Sequence, residues 1–149
     1  MNCASPVFNV LLIDDDAHEL EIVQRVLTVL TEAPFAVDHV VRVSEAVKLL
    51  NDHDYDLVLL DNRLSDRISA QFSAPFVTSA FSRATVAIIS SDIDVPYLET
   101  PEQLGVDHIV DKKDMIVFLR DQVERNIRTV LHPVKTFTRR ENSAAGQAG

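Results

Sequence analysis

Glycine and cysteine are scarce in this chain of 149 residues, and their scarcity excludes several kinds of site. Glycine occurs three times, against a usual share of about 7%, and only Gly105 lies before the last few residues. A dinucleotide-binding turn and a glycine-rich phosphate loop both need backbone that only glycine adopts freely, so neither is present. A single cysteine, Cys3, excludes an internal disulfide and a Cys-x-x-Cys zinc site. The histidines include no pair four residues apart, which excludes a His-Glu-x-x-His metalloprotease helix.

Long apolar runs and basic charge are also missing. No apolar run approaches the roughly 18 residues of a membrane span, and the N-terminus lacks the basic and apolar regions of a secretory signal. We therefore expect no membrane association and a cytoplasmic location. The net charge is −9, and residues 1–131 alone carry −11. Such a domain repels polyanions, so no direct nucleic-acid partner is expected, whereas a metal cation would be attracted.

Short apolar runs alternate with amphipathic segments, which predicts an α/β fold with a parallel sheet covered by helices on both faces. The predicted domain occupies residues 7–131, between an N-terminal tail (1–6) and a polar, disordered C-terminal tail (132–149). The predicted strands are residues 10–13, 35–41, 57–60, 86–89 and 108–110. The predicted helices are one capped by Asp16, a short one capped by Ser44, one over 70–81 that contains Pro75, a weak one over 94–104 and a long one opened by Asp114.

Polar residues follow four of the five predicted strands: Asp14–Asp16, Asp61, Ser90 and Lys112. Parallel strands bring their carboxyl ends to one edge of the sheet, where ligands of such folds bind. Each residue alone has an ordinary explanation, such as a helix cap, a turn residue or a solvated lysine. Together, clustered carboxylates suit a hard cation such as Mg²⁺, and an Asp, a hydroxyl and an ammonium suit phosphoryl transfer to a carboxylate.

Four segments of the sequence resemble the receiver domain of two-component response regulators: VLLIDDD, YDLVLLDNRL, VAIISS and HIVDKKD. The resemblance covers roughly residues 7–131, and the spacings of 29 residues from Asp61 to Ser90 and 22 from Ser90 to Lys112 fit it. It implies a flavodoxin-like, doubly wound five-stranded sheet of order 2-1-3-4-5.

The resemblance also implies a role for each residue at the strand ends. Asp61 matches the phosphoacceptor. Asp14 and Asp15 match the acidic pair that binds Mg²⁺, Asp15 directly and Asp14 through water, and Asp61 completes the carboxylate set. The implied third protein ligand is the backbone carbonyl of Arg63. Ser90 matches the hydroxyl that follows the phosphoryl group, and Lys112 matches the lysine of the family.

The implied function is a phosphorylation-controlled signalling module, not a substrate-turnover enzyme. Its implied partners are a histidine kinase or phosphotransfer protein and an output protein. Because few residues follow Leu131, a stand-alone receiver is expected, acting by protein binding or in a phosphorelay; homodimerisation is compatible with this interpretation. Departures from the family pattern fall on segments that receivers use to signal. Among them, Ile109 replaces a common aromatic residue, and Pro96 and Pro101 interrupt the fourth helix.

Two alternatives stay open at the level of sequence. Asp14 and Asp16 after an apolar strand also fit a haloacid-dehalogenase-type phosphatase, with Asp14 as nucleophile and Asp16 as acid. Against it, Ala17 follows where that class has Thr or Val. The second alternative is a pseudo-receiver that is never phosphorylated and signals by constitutive binding.

Overall fold

The structure of the protein is a computed structural model that describes residues 7–64, 69–80 and 83–131, with the side chains of the last helix described up to Asn126. The predicted tails, 1–6 and 132–149, lie outside the described residues. In the part of the chain that the structure describes, no helix is long and apolar enough to cross a membrane.

Five parallel strands form one sheet of order β2-β1-β3-β4-β5, which confirms the predicted doubly wound α/β fold. The strands are β1 (Phe8–Ile13), β2 (Phe35–Val40), β3 (Leu57–Asp61), β4 (Thr85–Ser90) and β5 (His108–Asp111). The helices are α1 (Ala17–Leu30), α2 (Val43–Asp52), α3 (Ala70–Thr78), α4 (Pro101–Leu104) and α5 (Met115–Leu131). Short 3-10 helices cover Pro96–Glu99 and Lys112–Asp114.

The strand sequences follow from their places in the sheet. All five residues of the central strand β3 are buried, as expected where helices cover both faces of a parallel sheet. The edge strand β2 alternates half-buried and exposed positions along most of its length, because one side of it meets solvent. The apolar runs of β1, β3 and β4 therefore predict interior strands.

Each central strand contributes to two separate hydrophobic clusters, because successive side chains point to opposite faces of the sheet. On β3, Leu57 and Leu59 pack with α1 and α5, whereas Val58 and Leu60 pack with α2 and α3. We call these the α1/α5 cluster and the α2/α3 cluster. Two covered faces leave the strand ends as the places where polar side chains can meet.

One predicted helix start is wrong. Helix α2 begins at Val43 after Arg42, which makes no capping side-chain bond, so Ser44 lies inside the first turn. Val43 packs against the α2/α3 cluster, and this contact draws it into the helix. The predicted start of the last helix at Asp114 is confirmed, since α5 begins at the next residue, Met115. A 3-10 turn over Lys112–Asp114 precedes α5, and the carboxylate of Asp111 caps that turn by accepting from Lys113 N.

The prediction for residues 94–104 is confirmed in outline, since no continuous helix forms there. Pro96 begins the 3-10 helix and Pro101 begins α4, each at the first helical position. Proline is tolerated there because the backbone N–H it lacks would have no partner inside the helix. Each proline therefore starts a short helix of its own.

Candidate phosphoacceptor site

The carboxyl ends of four strands meet at one edge of the sheet. Strand pairing sets Ile13 beside Leu60, Asp61 beside Ile89 and Ser90 beside Asp111. Asp14 follows Ile13 directly and Lys112 follows Asp111. The register therefore brings the predicted carboxylates, hydroxyl and ammonium to the same edge.

Three of the predicted carboxylates converge. One oxygen each of Asp14, Asp15 and Asp61 lie within 4.8 Å of one another, and this group can hold a metal ion. Asp14 and Asp61 are buried, whereas Asp15 is exposed at the rim. Carboxylate oxygens are the ligands that Mg²⁺ prefers.

Asp14 is fully buried, and only one of its two carboxylate oxygens has a hydrogen-bond partner. Its Oδ1 accepts from the backbone N–H of Asp16 at 2.9 Å, but its Oδ2 is buried with no hydrogen-bond partner. Burial raises the pKa of Asp14 to about 7; the bond from Asp16 opposes the rise and the charge of Asp61 adds to it. A buried carboxylate oxygen without a partner is costly, and a cation would satisfy it.

Asp61 ends β3 beside a lysine. Lys112 Nζ lies 3.4 Å from Asp61 Oδ1, and both side chains are largely shielded from solvent. Burial raises the pKa of Asp61, although the charge and hydrogen bond of Lys112 oppose the rise. Burial alone would lower the pKa of Lys112, but the attraction of Asp61, Glu19 and Asp14 reverses this, and the pKa is raised. Lys112 therefore stays an ammonium facing the carboxylates.

Ser90 ends β4, and its hydroxyl is hydrogen-bonded to its own loop and to Asn62. Its Oγ donates to the carbonyl oxygen of Asp92 at 2.8 Å. It also accepts from Asp92 N at 3.1 Å and from Asn62 Nδ2 at 3.3 Å. The one hydroxyl proton of Ser90 is thus directed to a carbonyl in its own loop.

Three residues near the site were not found from the sequence. Asn62 and Tyr97 form a hydrogen-bond chain with Ser90, because Tyr97 OH donates to Asn62 Oδ1 at 2.7 Å. His39 on β2 has Nε2 2.6 Å from the carbonyl oxygen of Asp14. Asn62 adjoins Asp61 in the sequence, which is a weak signal, whereas Tyr97 and His39 are distant along the chain and carry no local signal.

The remaining predicted residues lie at the periphery. Arg63 follows two residues after Asp61, and its backbone N–H counteracts the rise in the pKa of that carboxyl. Its carbonyl stays a predicted metal ligand. Asp16 caps α1 by accepting from His18 N at 2.9 Å and is not in the converging carboxylate group. Because the carboxylate of Asp16 caps α1, Asp16 is poorly placed to act as the acid of a phosphatase.

The comparisons with known proteins agree with this fold. The family model of the response regulator receiver domain matches residues 10–124. No curated protein sequence matches the chain.

Solved structures match at low sequence identity. The signal receiver domain of a putative Luxo repressor protein from Vibrio parahaemolyticus is 16% identical with a TM-score of 0.68, covering 90% of this chain and 98% of its own. The receiver domain of a sensor histidine kinase from Pseudomonas aeruginosa, with magnesium coordinated in its active-site cleft, is 18% identical with a TM-score of 0.62, covering 84% and 98%. The phosphorylated cyanobacterial phytochrome response regulator RcpA is 20% identical with a TM-score of 0.64, covering 86% and 96%. At these identities the likeness establishes the fold.

Proposed function

The chain belongs to the response regulator receiver domain family, and from this premise we propose that Asp61 accepts a phosphoryl group in a Mg²⁺-dependent reaction. The observation that carries the proposal is the position of Asp61: a buried carboxylate at a strand end, 3.4 Å from the Lys112 ammonium and close to two further carboxylates. The proposed donor is the phosphohistidine of a histidine kinase or phosphotransfer protein.

The donor set at the sheet edge fits Mg²⁺. The proposed ligands are the carboxylates of Asp14, Asp15 and Asp61 and the backbone carbonyl of Arg63, all of them oxygens, as a hard cation requires. The partnerless buried Oδ2 of Asp14 supports this assignment, because a cation offers it the partner it lacks. A bound Mg²⁺ would offset the negative charge of the carboxylates and of the incoming phosphoryl oxygens.

Phosphoryl transfer follows from the groups around Asp61. A carboxylate oxygen of Asp61 attacks phosphorus while the phosphorus–nitrogen bond of phosphohistidine breaks. The electron pair of that bond stays on the imidazole nitrogen, and with the other ring nitrogen protonated the histidine leaves as a neutral imidazole. Lys112 Nζ, which now faces the carboxylate, then pairs with a phosphoryl oxygen by a charge-assisted hydrogen bond.

Ser90 couples phosphorylation of Asp61 to a change in the neighbouring loop, as a signalling domain requires. Its hydroxyl can donate to the new phosphoryl group only by leaving the carbonyl oxygen of Asp92. This exchange changes the loop that runs from Ser91 into the helix at Pro96. We therefore expect output through residues 91–104 and the neighbouring β5 and α5, read by a partner protein or used in a relay.

The test is mass spectrometry after incubation with acetyl phosphate and Mg²⁺. We expect one added phosphoryl group on the wild-type chain, located at Asp61, and none on Asp61→Asn. Asp16→Asn is the matched control: it keeps the helix cap and lies outside the carboxylate group, so it should be modified like the wild type.

Two outcomes would contradict the proposal. If Asp61→Asn were modified as well as the wild type while Asp14→Asn were not, the nucleophile would be Asp14, as in the phosphatase alternative. If the folded wild-type chain took up no phosphoryl group, the pseudo-receiver alternative would replace the proposal.

A further inference from the structure

The side chain of Asn62 joins two parts of the molecule that phosphorylation must connect. Its Nδ2 donates to Ser90 Oγ at 3.3 Å, and its Oδ1 accepts from Tyr97 OH at 2.7 Å. Asn62 is 3% exposed, so solvent cannot easily replace either bond. One buried amide therefore links the hydroxyl at the phosphoacceptor site to the helix Pro96–Glu99.

The backbone of Asn62 is held on both sides. Its N–H donates to the carbonyl oxygen of Ile89 at 2.9 Å, and its carbonyl oxygen accepts from Ala70 N at 2.8 Å. These bonds tie residue 62 to β4 and to the start of α3. Any response of Asn62 to its neighbours must then be a rotation of its side chain.

We propose that Tyr97 is a positioning residue that acts through Asn62 to keep the Ser90 hydroxyl on the carbonyl oxygen of Asp92, and that phosphorylation releases Tyr97 from Asn62. The inference rests on the proposed phosphorylation of Asp61. It adds a specific hydrogen bond by which the state of Asp61 reaches residues 96–99.

Release follows from the number of hydrogen bonds that each group can make. Ser90 has one hydroxyl proton, so donating to a phosphoryl oxygen costs it the bond to Asp92. When Ser90 Oγ moves, the buried Nδ2 of Asn62 loses its acceptor. Buried polar groups rarely stay unpaired, so the amide rotates toward a new partner. The same rotation moves Oδ1 away from Tyr97 OH.

Apart from the Tyr97 bond, the helix Pro96–Glu99 is held mainly by apolar contacts. Pro96 has no backbone N–H, and within the described residues the bond from Tyr97 is the only side-chain hydrogen bond from this helix to the end of a strand. Leu98 is buried against the α2/α3 cluster and holds the helix by apolar contact. Loss of the Tyr97 bond should therefore loosen the helix without detaching it.

The test measures binding of beryllofluoride, a phosphoryl mimic, by calorimetric titration in Mg²⁺. Tyr97→Phe removes the hydroxyl that stabilises the resting arrangement. It should therefore bind beryllofluoride about fivefold more tightly, the change that one net hydrogen bond supplies. Tyr55→Phe is the matched control, because the hydroxyl of Tyr55 also donates to a side chain, that of Asp38 at 2.6 Å, on edge strand β2. Its affinity should equal that of the wild type.

A double-mutant cycle tests whether Tyr97 acts through Asn62. In an Asn62→Ala background, Tyr97→Phe should have no further effect on beryllofluoride affinity. The same tightening with and without Asn62 would overturn the proposed route. An affinity of Tyr97→Phe equal to or weaker than that of the wild type would overturn the inference while leaving the proposed function intact.

Tyrosine emission adds a readout that does not depend on stability. The chain has two tyrosines and no tryptophan, so Tyr55→Phe leaves Tyr97 as the only strong emitter. Its emission should change when beryllofluoride is added in Mg²⁺, and an unchanged signal at saturation would contradict release. If the wild type bound no beryllofluoride, both the proposed function and this inference would fall.

Discussion

Three consecutive aspartates occupy three different environments at the end of β1. Asp14 is fully buried, and burial raises its pKa to about 7. Asp15 is exposed but offers an oxygen to the carboxylate group. Asp16 caps α1. One residue type thus supplies two proposed metal ligands, one buried and one at the rim, and a helix cap, because backbone direction changes at each step between strand and helix.

This difference predicts unequal effects on Mg²⁺ binding. Millimolar Mg²⁺ should raise the midpoint of thermal unfolding, because ligand binding to the native state adds about 2.7 kcal/mol at a hundredfold excess over Kd. Asp15→Asn should abolish most of that rise, whereas Asp16→Asn should keep it, since asparagine also caps helices. Suppose that Mg²⁺ leaves the unfolding midpoint of the wild type unchanged and that Asp15→Asn raises this midpoint. The carboxylates at the end of β1 would then bind no metal.

A second prediction at this scale concerns Tyr55. Burial is the larger cause, and the hydrogen bond to Asp38 the smaller, of a rise in the pKa of Tyr55 above 10.0. Above pH 10 the unfolded chain loses this proton while the folded chain retains it, so the free energy of unfolding falls as pH rises. Tyr55→Phe should cost about 2 kcal/mol at neutral pH, where the bond to a charged acceptor is lost. It should also show a shallower loss of stability between pH 10 and 11 in denaturant titrations.

Asp38→Asn serves as the comparison for Tyr55→Phe. It keeps the burial of Tyr55 and an acceptor for its hydroxyl, so most of the alkaline loss should persist. If the free energy of unfolding fell equally steeply above pH 10 in the wild type and in Tyr55→Phe, Tyr55 would not be the cause of the alkaline loss of stability.

At the scale of elements, two aspartates fix the starts of strands. Asp56 precedes β3 and accepts from Asn9 N on β1 at 2.7 Å, and Asp107 precedes β5 and accepts from Val86 N on β4 at 2.8 Å. In both cases the backbone N–H of the same aspartate donates to the neighbouring strand. These paired bonds hold the strand register at the edge opposite the site.

Two short helices, and not one regular helix, connect β4 to β5. Pro96 and Pro101 each begin a helix of four residues, and Gly105 ends α4 with φ of 77°. Helices this short gain little from backbone hydrogen bonding, because nucleation is costly. The segment therefore keeps its shape through buried Leu98 and Leu104 and through the Tyr97 bond.

Phosphorylation should change amide exchange across this segment. Exchange measured on the free and beryllofluoride-treated protein should show altered protection over residues 91–104, because release of Ser90 from Asp92 reaches the segment through the backbone. Helix α1, on the other face, is the internal reference and should be unchanged beyond its first turn. Protection changes confined to the neighbourhood of Asp61 would contradict this prediction.

At the scale of the molecule, the sequence predicts what depends on local pattern and fails where distant residues meet. Local sequence pattern predicts all five strands, and their order along the chain predicts which ends carry the candidate site. Asn62 and Tyr97 could not be paired in this way, because 35 residues separate them. The sequence pattern wrongly predicts Ser44 as a helix cap, because packing of Val43, a tertiary contact, moves the helix start.

The two hydrophobic clusters share every central strand, which predicts that they unfold together. Leu59 and Leu60 are adjacent on β3 and fully buried, but Leu59 lies in the α1/α5 cluster and Leu60 in the α2/α3 cluster. Each Leu→Ala substitution should lower the free energy of unfolding by about 3 kcal/mol. If the sheet makes one cooperative unit, every spectroscopic probe should report the same midpoint for a given variant.

The two tyrosines lie on the same face of the sheet, because Tyr55 belongs to the α2/α3 cluster and Tyr97 packs against it. Tyrosine emission therefore reports on that face, whereas far-ultraviolet circular dichroism reports on all helices. Leu59→Ala, on the opposite face, should shift the denaturant midpoint of tyrosine emission as far as it shifts the midpoint of circular dichroism. If Leu59→Ala moved the dichroism midpoint and left the tyrosine midpoint in place, the two faces would unfold separately. A signal from Asp61 could then reach the segment 91–104 without involving α1 or α5.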